Sequence, residues 1–156
     1  EFLQLSGCRG LGDEGAAMLG EAMEAGGFTH LKALELELCS FGPDGVDALL
    51  TEGFGLRAQI PSEATGATSY AVPPRPENDS PMPLSKLQRL LLTANQCPHT
   101  MRKMTSTQAC ALVDAVLLRA GQNCRAIVLS HAVAIENATP EEYVKLHTAP
   151  CVVDGQ

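Results

Sequence analysis

Residues 11–19 read LGDEGAAML and residues 41–49 read FGPDGVDAL. Both follow one skeleton, apolar–Gly–x–acid–Gly–x–x–x–Leu, at an offset of 30 residues. Each copy has the chemistry of a helix start. Gly12 and Gly42 release the chain from extended geometry. Asp13, Glu14 and Asp44 place negative charge at the positive end of a helix dipole. Pro43 suits a first helical turn, where its missing N–H would have been unpaired anyway. Ala16, Leu19 and Met23 recur at helical spacing, as do Val46, Leu49 and Leu50, so these side chains are expected to face a core.

A strand pattern precedes the second copy: Leu31-x-x-Leu34-x-Leu36-x-x-Cys39. The alternation of Leu34 and Leu36 has the period of a strand. The pattern recurs as Leu87-x-x-Leu90-x-Leu92-x-x-Asn95 and, in its apolar positions, as Cys124-x-x-Ile127-x-Leu129-x-x-Ala132. Leu3-x-Leu5-x-x-Cys8 fits at the start. Helix starts of declining fidelity follow the later two strands. In MTSTQACAL, Met104 to Leu112, Thr107 stands in the place of the acid and Gln108 in that of the glycine. In ATPEEYVKL, Ala138 to Leu146, Glu141 keeps the acid and Thr139 is a natural N-cap before Pro140. Ala109, Leu112, Val113 and Val116 are the inward positions of the third helix.

The LxxLxLxxC/N strands and the GDEG- and GPDG-type helix starts resemble the leucine-rich repeat, specifically the ribonuclease-inhibitor-like subfamily with its strand-plus-helix unit of about 28 residues. The resemblance spans residues 1–53 and 84–147. It implies an α/β leucine-rich-repeat solenoid of about four strand–helix units, with a curved parallel sheet and helices on the convex side. Residues 1–156 would form one domain, expected to be a fragment of a longer array: the first strand begins in mid-unit without a polar cap, so either further repeats precede it or another subunit covers its open edge. An Asn or Cys just after each strand can hydrogen-bond the backbone of a neighbouring turn. The resemblance also implies a non-catalytic protein–protein interaction module, acting as a scaffold or assembly subunit of a larger complex. Leucine-rich Ran GTPase-activating proteins are similar to this subfamily, which leaves regulation of a small GTPase as the alternative. An enzyme with an inserted active-site loop is a third possibility.

Two stretches interrupt the pattern. Leu34 and Leu90 lie 56 residues apart, twice the family period, and the Pro-rich residues 54–83 between them show no strand or helix pattern. They are expected to be an insertion between units. QCPHTMRK, residues 96–103, lengthens the connection from the third strand to its helix. Loops carry function disproportionately, so both are functional candidates.

Composition narrows the classes. The 156 residues are 45% apolar, enough for a core, and the net charge is −7. Without a Lys/Arg cluster in the sequence, a nucleic-acid partner is not expected. Without an apolar run near ~20 residues, membrane insertion is not expected either. The six cysteines never form CxxC and are expected to be reduced, buried thiols in a cytoplasmic protein. The sequons at Asn78 and Asn137 shift that reading little. Cys97, His99 and Cys110 lack the spacing of a zinc module. No nucleophile elbow, zinc-protease or phosphate-loop motif is present, and no cofactor, metal or catalytic residue is expected.

Residues between the buried leucines should project from the sheet face opposite the helices. They are Gln4 and Ser6, then Glu35 and Glu37, then Arg89, Leu91 and Thr93, then Ala126, Val128 and Ser130. Gln4, Glu35, Glu37, Arg89, Leu91, Thr93, Val128 and Ser130 are the candidate partner-binding residues. The acidic pair beside an apolar Leu91 and Val128 suits a basic or amphipathic protein partner.

Overall fold

A computed structural model describes residues 1–59, 69–71, 83–135, 138–149 and 152–153. Strand β1 (Phe2–Gln4) leads to helix α1 (Gly12–Glu24), and β2 (Ala33–Glu35) to α2 (Pro43–Ala48), which continues as a π-helical turn at Leu49–Gly53. Two short strands follow, β3 (Arg57–Gln59) and β4 (Ser69–Ala71). Then come β5 (Arg89–Leu91), β6 (Met104–Thr105) and α3 (Ser106–Ala120). The chain continues through β7 (Ala126–Val128), β8 (Val133–Ala134), α4 (Pro140–Thr148) and β9 (Val152–Val153).

Five strands form one parallel sheet in the order β1-β2-β5-β7-β9. The expected inward leucines register across it: Leu3 against Leu34, Leu34 against Leu90, Leu90 against Ile127. Leu36, Leu92 and Leu129 form the next buried row. These side chains share one core with Ala16, Met23, Val46, Leu49, Leu50, Ala109, Leu112, Val113 and Val116 of the helices. Full burial of each Val, Leu, Ile or Met among them contributes about 2 kcal/mol. The helices therefore cover one face of the sheet. The fifth strand was not anticipated, because two valines are too short to display an alternation.

The polar position after β2 and after β5 works as the pattern suggests. Asn95 is 1% exposed. Its Nδ2 donates to the Leu36 carbonyl at 2.5 Å and the Leu92 carbonyl at 3.0 Å, and its Oδ1 accepts from Cys39 N at 2.8 Å. Cys39 Sγ in turn donates to the Leu5 carbonyl at 3.1 Å. Cys8 occupies the same position but is exposed, contrary to the expectation of buried thiols, because β1 is the outermost of the described strands of the sheet. Cys39 and Cys110 are buried and free, Cys124 is buried, and Cys97 is free and half-buried. Burial pushes the Cys110 thiol up to about 11.

The helix starts differ from each other in instructive ways. Gly12 has φ +57°, the left-handed geometry that favours glycine. Gly42 is extended at φ −109°, so the expected turn role fails there. A Cβ on Gly42 would lie 2.7 Å from Cys97 Cβ, and close approach is the reason for that glycine. The carboxylate that joins the first two helices is Asp13: its Oδ1 accepts from Gly42 N at 2.7 Å and from Gly45 N at 3.0 Å. Glu14 and Asp44, the acids of the skeleton, are exposed. The third helix is capped by Thr105 and Gln108 in a reciprocal capping box, and the fourth by Thr139 and Glu142 in another. Gln108 Nε2 also donates to the Pro43 carbonyl at 2.8 Å and to Asp47, tying α3 to α2.

Residues 57–59 and 69–71 pair antiparallel, which corrects the expectation that 54–83 carries no strand. Tyr70 anchors the pair by donating its hydroxyl to Asp47, and burial pushes that phenol above its usual range. The remainder of the expected insertion, 60–68 and 72–82, lies outside the described residues, as do Asn78, Asn137 and Cys151. Among the described residues no helix is long and apolar enough to cross a membrane.

Candidate protein-interaction face

The sheet face opposite the helices is built by alternation: if Leu3, Leu34, Leu90 and Ile127 point to the core, their neighbours point away. Gln4, Glu35, Leu91 and Val128 stand in one register row across β1, β2, β5 and β7. Backbone bonds set a second row. Gly7 N donates to the Glu37 carbonyl, Leu38 N to that of Thr93, and Ala94 N to that of Ser130. Glu37, Thr93 and Ser130 are thereby brought side by side. A third row holds Phe2, Ala33, Arg89 and Ala126.

All eight expected residues share this face, with unequal access. Gln4 and Arg89 are exposed; Glu35, Glu37, Thr93, Val128 and Ser130 are half-buried. Leu91 is only 5% exposed although it lies outside the main core, so the expected apolar contact there is a closed floor instead. Arg89 reaches diagonally to Glu35, with Nη1 3.6 Å from Oε1. The Glu35 side chain retains 18% of its exposure and that of Arg89 55%, so the pair is screened by solvent on the arginine side. Such half-open pairs contribute under about 1 kcal/mol. Ser6 Oγ and Thr93 Oγ1 are out of contact with solvent and have no hydrogen-bond partner among the described residues. They flank Glu37 in the second row, beneath the accessible surface of the face.

One residue of this face escaped the sequence reading. Phe2 is 78% exposed and stands in the row of Arg89. The signal was present, since Phe2, Gln4 and Ser6 alternate with the partly buried Leu3 and Leu5.

The 96–103 connection sits at the end of β5. Cys97 N donates to the Arg102 carbonyl at 2.8 Å and Met101 N to the Cys97 carbonyl at 2.8 Å, closing a tight loop. Met101 takes φ +55° and is exposed, as is Leu38 at the end of β2. The Thr100 hydroxyl, with the backbone amides of Thr100 and His99, holds the Cys97 thiol below its usual range. Cys110, once considered alongside Cys97 and His99 for a metal, directs its thiol to the Glu142 carbonyl at 3.8 Å. Among the described residues no three His, Cys, Asp or Glu side chains converge as metal ligands.

A family model described as Leucine Rich repeat matches residues 1–20 and 29–50, the first two strand–helix pairs. No curated protein and no solved structure matches the chain. In these segments the chain is similar to leucine-rich repeats, which generally mediate protein–protein interaction.

Proposed function

We propose that this leucine-rich-repeat protein is a non-catalytic scaffold or assembly subunit that holds a basic or amphipathic protein segment on its open sheet face. The observation that carries the reading is the registered row of non-core side chains, Gln4 and Glu35 beside Phe2 and Glu37, on a face that no described helix covers. Phe2 supplies apolar surface and the two glutamates supply charge. The alternation of strands with full α-helices supports the ribonuclease-inhibitor-like assignment and an array of four strand–helix units. The free thiols of Cys39 and Cys110, both buried, support a reducing, cytoplasmic location. Fluorescence polarisation with a designed basic amphipathic peptide tests the face. The double charge reversal E35K/E37K should weaken binding about tenfold. Unchanged affinity would overturn the proposal.

A further inference from the structure

The sequence shows no basic run, yet the fold gathers one. The turns that precede β2, β5 and β7 lie side by side: Leu84 N donates to the Phe28 carbonyl at 3.2 Å, and Asn123 Nδ2 donates to the Ser85 carbonyl at 3.1 Å. Lys32 N bonds the Glu1 carbonyl, Gln88 N that of Lys32, and Arg125 N that of Gln88, so these residues form a continuous row just before the strands begin. Lys32 and Arg125 stand in this row, and Lys86 and His30 lie in the turns behind it. All four are exposed. Lys86 Nζ is 3.3 Å from His30 Nδ1, and these two side chains line a shallow polar depression with Lys32 and Glu1. Among the described residues neither Lys32, Lys86 nor Arg125 makes an ion pair; the two salt bridges that exist use Arg89 and Lys145. None of the three belongs to the last turn of a helix, so they are not placed there to complement helix ends, and α1 and α2 have no basic residue in that turn.

We propose that this strand-entry rim is a second docking surface, and that its occupant is an acidic, extended polypeptide segment of a partner protein. It is distinct from the open sheet face and opposite to it in charge. Geometry favours an extended peptide. Lys32 and Arg125 are two strands apart, about 10 Å across the sheet. In a polyproline-II segment, residues i and i+3 share a face about 9.3 Å apart, so carboxylates at every third position meet both cations. Charge favours a short acidic segment over a long polyanion. The chain carries a net −7, which repels nucleic acid as a whole. At physiological salt that field is screened beyond about 8 Å, leaving the local cations to a partner that touches only the rim.

The test is polarisation binding of a fluorescein-labelled peptide with glutamate at every third position. The wild-type chain should bind it, more weakly as salt is raised. K32E/K86E/R125E should weaken binding about tenfold or more. The neutral K32Q/K86Q/R125Q set gives the same readout if the reversal fails to fold. E35K/E37K should leave this peptide's affinity unreduced, which separates failure here from failure of the sheet-face proposal. Absence of wild-type binding, equal affinity in the triple variants, or tighter binding of a single-stranded oligonucleotide or of tripolyphosphate than of the peptide would each overturn the assignment.

Discussion

The joint between α1 and α2 and the joint between α3 and α4 perform one mechanical task with different chemistry. In the first, the Asp13 carboxylate reaches bare backbone amides, those of Gly42 and Gly45, and tolerates no side chain there: a Cβ on Gly45 would lie 2.6 Å from Asp13 Oδ1 and 2.9 Å from Phe41 Cβ. In the second, Glu142 accepts from the Ser106 and Thr107 hydroxyls at 2.9 and 2.6 Å and from its own N-cap amide, Thr139 N, at 2.9 Å. The first solution demands glycine; the second demands hydroxyls and a capping box. A sequence skeleton built on glycine therefore fades along the chain while the strand–helix succession continues. The family model matches the two units that use glycine, at residues 1–20 and 29–50.

The largest expected effect lies between the two halves. Asn95→Ala leaves Cys39 N, Leu36 O and Leu92 O without their shared partner in a buried site, and should cost about 4 kcal/mol in urea unfolding. The transition should also broaden as the halves uncouple. A sharp, unshifted transition would show that the two joints are already coupled elsewhere. Gly45→Ala should cost about 2 to 3 kcal/mol by overpacking the first joint, and the corresponding pressure is absent from the second. A smaller effect sharpens the contrast through pH. Burial raises the Glu142 carboxyl, but hydrogen bonds from Thr107, Thr139 and Ser106 outweigh it and hold the group below its usual range. A depressed pKa contributes stability that is full above the unfolded value of about 4.3 and is lost as pH falls through the folded value. Glu142→Gln should remove this acid sensitivity, at under about 1 kcal/mol near neutral pH since the site is half-open. A variant with the wild-type acid midpoint would refute the role of Glu142.

Local features of the fold were legible: the strand alternation, the Thr139 cap before Pro140 and the bridging Asn95 all follow from residue type and near spacing. The Thr105 capping box was equally readable as Thr-x-x-Gln, but aligning MTSTQACAL to the glycine skeleton concealed it. What could not be read depends on which residues meet across the chain. Glu14 and Asp44 repeat in sequence yet stay exposed, whereas Asp13, in a position filled by Pro43 in the next copy, makes the joint. Gly42 reads as a turn glycine, and only the approach of Cys97 reveals its purpose. For the candidate face, alternation assigned all eight residues to the side away from Leu34, Leu90 and Ile127, because the period of a strand is fixed. It could not foresee the covering of Leu91. The basic rim was invisible because Lys32, Lys86 and Arg125 are distant in sequence and become neighbours only through the parallel register.

The antiparallel pairing of Arg57–Gln59 with Ser69–Ala71, pinned by Tyr70 on Asp47, has a consequence for engineering. The chain leaves after Gln59 and is back at Ser69, directly opposite on the adjacent strand. Lengthening a loop whose ends are already held together adds only about 0.6 kcal/mol for each doubling. That neck is a socket: a fluorescent or affinity module spliced between 59 and 69 would hang from the scaffold by a closed clasp, leaving both faces of the parallel sheet untouched.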